Sequence, residues 1–159
     1  ISTFGKKDNS LNPNQIGIIN GPYNFTVEII EDNEEDSARI SAMKKNIMKD
    51  PVLVRFLPTE ANTILYNEEK NKLKALANYL NASNSVSCTI VGHTDNNWSH
   101  ESNMRLGKKR AEFTKRKLLE YKVNPNKIKT ISKGETEPMT PNETTKGKAL
   151  NRRSEVIIK

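Results

Sequence analysis

The regular pattern of apolar positions begins at residue 51. The apolar run 52–57 is rich in β-branched and aromatic residues and lies between Pro51 and Pro58, as is typical of a strand flanked by breakers. In the segment 67–80, a cap-type asparagine and two glutamates precede apolar residues that recur at helical spacing. The pattern therefore predicts a strand followed by an amphipathic helix.

The rest of the chain continues the alternation of strands and helices. Residues 85–92 form a mostly apolar run that is typical of an interior strand, and the predicted strand ends at His93. Residues 102–122 have helical periodicity, and 127–133 and 154–159 alternate like strands. The stretch between the last two strands is predicted as a loop because it contains several breakers: Pro138, Pro141 and Gly147.

The element order β-α-β-α-β-β predicts the fold class. Strands separated by helices pair through crossovers, and the last two strands can add an antiparallel partner. We therefore predict an α/β fold, an α+β sandwich with a mixed sheet and the helices on one face.

The N-terminal third of the chain has a weaker pattern. Residues 1–20 are predicted to be a loop or tether, 23–30 a short strand, and 37–49 a short helix that follows the acidic run 31–36. We therefore divide the chain into an N-terminal extension or tether, residues 1–50, with the short elements just named, and a folded domain, residues 51–159.

Composition and charge narrow the class of protein. No window approaches the roughly 18 consecutive apolar residues of a membrane-spanning helix. The net charge of +7 comes from residues 51–159, which hold 20 Lys and Arg against 11 Asp and Glu, so this part attracts polyanions in general. The single cysteine, Cys88, lies in an apolar run and is predicted to be a core residue rather than a nucleophile.

The candidate site lies between the predicted strand 85–92 and the predicted helix 102–122. Asp95 directly follows the strand, at the position where ligands of open α/β sheets tend to bind. Asn103, Leu106 and Arg110 share one flank of the helix, so that Arg110 can point back toward Asp95. A carboxylate beside a guanidinium suits a ligand that carries both an ammonium and a carboxylate group. The spacing alone also allows Asp95 and Arg110 to pair with each other or with helix-end groups.

These residues belong to a wider set of motifs with consistent spacing. The set resembles the OmpA-like C-terminal domain, which also occurs in peptidoglycan-associated lipoproteins and flagellar stator proteins. The matching residues lie between about 51 and 159: Thr94, Asp95, Asn103, Leu106, Gly107, Arg110, Ala111, Gly134, Glu135, Pro138, Asn142, Thr144, Gly147, Asn151, Arg152 and Arg153.

The resemblance implies noncovalent binding of the peptidoglycan stem peptide. In such domains the residues matching Asp95 and Arg110 hold the ammonium and carboxylate of diaminopimelate. We expect the supporting pocket to be formed by six further residues: Thr94, Trp98, Asn103, Leu106, Asn151 and Arg153. Arg152, between the last two, would line or brace the site with them. The implied role is to anchor an outer-membrane or envelope complex to the cell wall from the periplasm, with the complex reached through the N-terminal part.

Trp98 is the main departure from the family pattern, which usually has glycine at this position. The indole can stack on a sugar or peptide of the ligand, or it can cover the core. Two further departures, Thr114 in place of valine and Lys122 in place of glycine, do not involve Asp95 or Arg110.

Other functions are less well supported by the sequence. His93, Asp95 and His100 have a weak metal-ligand spacing, but we predict no metal and no cofactor, because the resemblance already uses Asp95. Ser99 and His100 are neighbours in a loop, where no scaffold holds them as a nucleophile and its base, so we predict that the protein is not an enzyme. The alternative from a different class is a basic module that binds nucleic acid or another polyanion through the second helix. We predict no nucleic-acid partner, since no recognition motif accompanies the basic residues.

Overall fold

The computed structural model describes residues 34–159, and the predicted tether 1–20 and strand 23–30 lie outside the described residues. The helices and strands, in chain order, are α1 (Glu34–Ile47), β1 (Val52–Arg55), α2 (Asn67–Ala82), β2 (Cys88–His93), α3 (His100–Glu120), β3 (Ile128–Gly134), α4 (Thr145–Asn151) and β4 (Arg153–Ile158). A short 3-10 turn, Pro125–Lys127, precedes β3.

The four strands form one mixed sheet with the order β1-β4-β2-β3. β4 runs antiparallel to both β1 and β2, whereas β3 runs parallel to β2. One row of the register places Val156 opposite Val52 on one side and Ile90 on the other. The predicted α/β fold class with a mixed sheet is therefore confirmed.

The hydrophobic core lies between one face of the sheet and the helices α2 and α3. Leu73, Leu76 and Leu80 recur on one face of α2, as predicted, and all three are buried against the sheet residues that share their cluster. Glu69 in the first turn of α2 accepts hydrogen bonds from the backbone N–H groups of Tyr66 (2.9 Å) and Arg55 (3.1 Å). This carboxylate therefore fixes the start of α2 to the end of β1.

Helix α3 lies directly on the sheet through a pair of glycines. A Cβ atom at Gly92 would lie 1.7 Å from the carbonyl oxygen of Gly107, and one at Gly107 would lie 2.3 Å from Ser132 Oγ. Neither position has room for a side chain. The close approach sets the depth at which the other inward-facing residues of α3 meet the end of β2.

The predicted loop between the last two strands contains a helix that the pattern missed. The side chain of Thr144 caps α4 by accepting a hydrogen bond from the backbone N–H of Gly147 (2.9 Å). With seven residues, of which one is glycine and only two are apolar, α4 is too short to show helical periodicity. The loop prediction was therefore wrong over these residues. The last strand then enters the sheet between β1 and β2.

The chain divides into two compact units, Ile1–Arg39 and Ile40–Lys159. Of the first unit only the beginning of α1 is described. In the second unit, Ile47 near the end of α1 is part of the core. The proposed domain boundary at residue 51 stays a prediction.

Two expectations about apolar residues can be compared with the described part of the chain. Cys88 is buried in the core, as predicted, and this burial raises the pKa of its thiol to about 11. Among residues 34–159, no helix is both long enough and apolar enough to cross a membrane.

Candidate ligand-binding site

The candidate site lies at the edge of the sheet where three strands end. β1, β2 and β3 all run in the same direction, because β4 is antiparallel to β1 and β2 while β3 is parallel to β2. The loops that follow these strands therefore meet at one edge, and β4 begins there. This is the position at which ligands of open α/β sheets bind.

Arg110 is buried completely beneath this edge. Its guanidinium donates three hydrogen bonds to backbone carbonyl oxygens: Nε to Glu60 (2.8 Å), Nη1 to His93 (2.9 Å) and Nη2 to Leu57 (3.2 Å). It also lies over the ring of Phe56, 5.2 Å from the centroid. Burial lowers the pKa of Arg110 to about 10, so the group remains charged at neutral pH.

The loop after β1 makes a strained turn that Arg110 holds at both ends. Glu60 donates its N–H to the carbonyl oxygen of Leu57 (3.2 Å), with Pro58 and Thr59 between them. Thr59 has a φ of 62°, a left-handed conformation that a β-branched residue rarely adopts. Arg110 binds the carbonyls of both Leu57 and Glu60. It therefore stabilises a turn conformation that the residues of the turn disfavour by themselves.

Asp95 makes its ion pair with Arg152 and not with Arg110. Asp95 is only 4% exposed, and its Oδ2 accepts a hydrogen bond from Arg152 Nη1 at 3.0 Å. Its Oδ1 has only a long contact, 3.4 Å, from the backbone N–H of Asn97. The alternative in which Asp95 simply pairs with Arg110 is therefore not what the structure shows.

Arg152 belongs to the stretch 151–153 that was expected to line or brace the site, and within it Arg152 is the residue that contacts Asp95. The residue ends α4, and its Nε donates a hydrogen bond to the carbonyl oxygen of Phe56 (3.1 Å). The sequence contains two successive arginines here, but it did not indicate which of them faces the site. We call the group formed by Asp95, Arg110 and Arg152 the Asp95 centre.

The Asp95 centre carries more positive than negative charge. Asp95 favours the charged form of Arg110 and raises its pKa, whereas the positive charge of Arg152 lowers that pKa. Both effects are smaller than the lowering by burial. Two buried guanidinium groups thus share one buried carboxylate. Glu60 also raises the pKa of Arg110, so a second carboxylate lies near these groups.

Three of the predicted supporting residues lie beside the Asp95 centre or on the adjoining flank of α3. Thr94 and Asn103 are buried, and within residues 34–159 neither Thr94 Oγ1 nor Asn103 Oδ1 has a hydrogen-bond partner. The Nδ2 group of Asn103 donates to the carbonyl oxygen of Trp98 (3.0 Å). Leu106 is half-buried. The two oxygens are therefore buried polar atoms without a hydrogen-bond partner among the described residues.

Asn151 has a bracing position in the structure. Its side chain accepts hydrogen bonds from the backbone N–H groups of Met139 (2.8 Å) and Thr140 (3.1 Å) and donates to the carbonyl oxygen of Thr140 (2.8 Å). It also donates to the side chain of Asn142 (2.9 Å). With these bonds Asn151 fixes the loop after β3 and has little capacity left for a ligand.

Arg153 is not brought to Asp95. It lies on the other face of the sheet, where its Nη2 is 3.4 Å from Glu155 Oε2, and the same carboxylate lies 3.9 Å from His93 Nε2. Burial, with a contribution from Arg153, lowers the pKa of His93 to about 4, so this imidazole is neutral at physiological pH.

Trp98 projects from a loop that is fixed on both sides. The preceding side chain, Asn97 Oδ1, accepts a hydrogen bond from Lys148 Nζ (2.6 Å), and the carbonyl of Trp98 itself is bound by Asn103. Ser99 then caps α3. Trp98 is 57% exposed, so more than half of the residue faces solvent and a ligand contact stays a prediction.

The three residues considered as metal ligands do not converge. His93 lies near Glu155, Asp95 pairs with Arg152, and His100 Nδ1 lies 2.8 Å from Glu135 Oε1. In the part of the chain from residue 34 onward, no three His, Cys, Asp or Glu side chains are grouped so as to hold a metal ion.

The basic residues on the outer face of α3 have local partners. The pairs are Arg105 with Glu101, Lys108 with Glu112 (3.4 Å) and Lys117 with Glu120 (2.9 Å). Two of them also bind neighbouring loops or strands: Lys108 donates to the carbonyl oxygen of Thr130 (2.7 Å), and Arg116 donates to Asn62 Oδ1 (2.9 Å). Much of the positive charge of this face is therefore already engaged.

Comparison with known proteins gives consistent matches to this fold and sequence. A sequence model of the OmpA family matches residues 59–152, more than half of the chain. The probable lipoprotein YiaD of Escherichia coli is 30% identical over 116 residues, which are 73% of this chain and 49% of that protein. The peptidoglycan-binding protein ArfA of Mycobacterium tuberculosis is 34% identical over 86 residues, 54% of this chain and 26% of that protein.

A solved structure has the same fold over most of its length. The peptidoglycan-associated lipoprotein from Burkholderia pseudomallei superposes with a TM-score of 0.65 and 25% sequence identity, over 71% of this chain and 93% of that one. The chain spans about half or less of the length of the two curated relatives described above.

Proposed function

The chain belongs to the OmpA family, and from that premise we propose that its folded domain binds peptidoglycan without forming a covalent bond. Two relatives support this proposal by name, one as a peptidoglycan-binding protein and one as a peptidoglycan-associated lipoprotein. The proposal concerns binding and anchoring, and no chemical step is attributed to the domain.

The observation that carries the proposal is the buried Asp95 centre. A carboxylate and two guanidinium groups lie together at the edge where the strand-end loops meet. Such a group matches a zwitterion, because the carboxylate can accept from an ammonium and a guanidinium can donate to a carboxylate. Within the peptidoglycan stem peptide, the far end of meso-diaminopimelate has both groups on one carbon atom.

We assign roles to the residues on this basis. Asp95 would receive the ammonium through Oδ1, the oxygen that Arg152 leaves free, and Arg110 would donate to the carboxylate. The unpartnered oxygens of Thr94 and Asn103 would accept further hydrogen bonds from the ligand. The exposed indole of Trp98 would contact the sugar or peptide that continues from the bound end.

The cellular role follows from the same proposal. A domain that binds the wall holds whatever is attached to it close to the wall. We therefore propose that the chain acts in the periplasm, associated with the outer membrane, and that residues 1–50 connect it to a component of the envelope. The relatives named as lipoproteins support this placement.

The polyanion-binding alternative has weaker support. It requires a free basic stripe along α3, but Arg105, Lys108 and Lys117 are each paired with a glutamate of the same helix. Glutamates at these positions would also repel phosphate groups. The structure thus offers a polyanion fewer free cations than the sequence suggested.

Cosedimentation with purified, nucleic-acid-free sacculi tests the proposal. Wild-type protein should remain bound in moderate salt, and Asp95→Asn should bind at least ten times more weakly, because a charged hydrogen bond contributes about 1.5 to 3 kcal/mol. Arg105→Gln, which changes an exposed residue of the outer face, is the matched control and should bind like the wild type.

A competition experiment tests the proposal with the wild-type protein alone. Free meso-diaminopimelate should displace wild-type protein from sacculi, whereas lysine at the same concentration should displace much less. The proposal would be refuted if salt alone abolished binding while neither Asp95→Asn nor the competitor affected it. That result would favour a polyanion site.

A further inference from the structure

We infer that the turn Leu57–Glu60, which we call the Thr59 turn, is a lid over Arg110 that opens when the ligand binds. The inference rests on the proposed function, because it concerns how the ligand reaches a residue of that site. Its carrying observation is the complete burial of Arg110. No ligand atom can contact the guanidinium unless a neighbouring group moves.

The carbonyl acceptors of Arg110 belong to two different kinds of backbone. The carbonyl of His93 is at the end of β2, a strand whose residues are all buried within the sheet. The carbonyls of Leu57 and Glu60 belong to the Thr59 turn, whose four residues are all exposed. Carbonyls of an exposed turn can bind water once they leave Arg110, whereas a carbonyl that moved within the sheet would stay buried without a donor. The turn is therefore the group that can move.

The closed form of the Thr59 turn is strained. Pro58 at the second position and a positive φ at the third are the features of a type II turn, which prefers glycine or asparagine at that third position. Thr59 is β-branched and has a φ of 62°. Relief of this strain offsets part of the free energy that opening requires.

Arg110 is also what holds the turn closed. Within residues 34–159, the hydrogen bonds that join Leu57 and Glu60 to other elements all come from its guanidinium. Next to the turn, Phe56 is fixed separately by backbone and side-chain bonds to Arg152 (3.0 and 3.1 Å). A ligand carboxylate that takes the Nε and Nη2 donors of Arg110 releases both turn carbonyls, while β1 stays in place.

The turn and the ligand therefore compete for one guanidinium, and their effects on each other are reciprocal. A change that stabilises the closed turn makes the domain more stable and its ligand affinity lower. A turn with a purely structural role has no such opposition, since stabilising it leaves the affinity unchanged. Opposite movement of stability and affinity is the signature of the lid.

Thr59→Gly tests this signature, because glycine adopts a positive φ without strain and Thr59 donates no hydrogen bond outside the turn. Its midpoint of urea denaturation should rise. Its affinity for a diaminopimelate muropeptide, measured by calorimetry, should fall about three- to tenfold, the order expected from relief of a left-handed conformation.

Lys122→Gly is the matched control. Lys122 has nearly the same φ, 64°, but it follows the other end of α3, far along the helix from the site. The substitution relieves the same kind of strain, so its urea midpoint should also rise. Its muropeptide affinity should equal that of the wild type.

Hydrogen exchange tests the lid in the wild-type protein. The backbone N–H of Glu60 closes the turn by donating to the carbonyl oxygen of Leu57. With saturating muropeptide this amide should exchange at least threefold faster. The amide of Lys127, which closes a turn elsewhere by donating to the carbonyl oxygen of Asn124, should not exchange faster.

The outcomes separate the inference from the proposed function. An affinity in Thr59→Gly that is unchanged or higher overturns the lid and leaves the proposed function standing. A Glu60 amide that exchanges no faster with bound muropeptide has the same meaning. If the wild-type protein does not bind the muropeptide, the proposed function fails and the inference fails with it.

Discussion

The two faces of α3 carry similar side chains in different surroundings. On the inner face, Arg110 is buried and its guanidinium binds three backbone carbonyls, two in the loop after β1 and one at the end of β2. On the outer face, Arg105 and Lys108 are exposed and pair with glutamates one turn away. In the sequence the whole helix is basic. The hydrogen-bond and ion-pair partners of each arginine show which one belongs to the site and which one is an exposed surface residue.

The energetic consequences of the two faces differ accordingly. An exposed ion pair within one helix contributes about 0.3 to 0.5 kcal/mol. A buried guanidinium costs several kcal/mol in desolvation, and only its hydrogen bonds offset this cost. Changes on the inner face should therefore have large effects on stability and binding, while the same changes on the outer face should have small ones.

The largest effect is expected at the glycine contact that seats the inner face. In Gly107→Ala the new methyl group would meet Ser132 Oγ and the carbonyl oxygen of Gly92, so α3 must move away from the sheet. We expect a loss of more than about 3 kcal/mol in the free energy of unfolding, as for severe overpacking. Urea denaturation measures it. Lys109→Ala, at an exposed position of the same helix, should change stability by less than about 0.5 kcal/mol.

Replacement of Arg110 by lysine should have the next largest effect. Lysine keeps the charge but cannot bind the carbonyls of Leu57, Glu60 and His93 in the forked geometry of a guanidinium. We expect a loss of about 2 to 3 kcal/mol in unfolding free energy, from buried carbonyls left without a partner. The outer-face counterpart, Arg116→Lys, should melt like the wild type. Equal losses in the two variants would contradict the distinction between the faces.

Trp98→Ala should affect binding and leave stability unchanged. The indole is mostly exposed and its loop is held through Asn97 and the backbone, so its removal leaves the fold intact. A ligand contact by one aromatic side chain is worth about 1 kcal/mol, so affinity for sacculi should fall about fivefold. Unchanged affinity would show that the ligand does not reach this loop.

The smallest effect is expected from the outer face itself. Combined replacement of Arg105 and Lys108 by glutamine removes two cations whose partners are glutamates of the same helix. Sacculus binding in moderate salt should change by less than twofold. A loss of tenfold or more would show that the basic stripe, and not the Asp95 centre, carries the binding.

Much of the fold was predictable from the sequence because its long elements have clear periodicity. The strands β1 to β4 and the helices α2 and α3 lie within a few residues of their predicted positions. The helix α4 was missed because seven residues with few apolar positions have no measurable period. Short elements that depend on capping and tertiary contacts are difficult to recognise from pattern alone.

The site was only partly predictable. The spacing correctly indicated that Asp95 follows a strand and that Arg110 faces inward from the next helix. It could not indicate that Arg152, 57 residues after Asp95, would pair with it, because this contact depends on where β4 enters the sheet. Nor could it show that Arg110 binds carbonyls, which have no signature in the sequence.

The most direct test of the account is a chemical-shift titration of isotope-labelled domain with free meso-diaminopimelate. We expect the largest shifts in the backbone amides around Asp95 and Trp98, in the Asn103 side-chain amide and in the Arg152 Nε–H signal. The amides of the outer face, around Lys108 and Lys115, should remain unshifted. Shifts confined to the outer face, or none at saturating ligand, would contradict the assignment of the Asp95 centre as the binding site.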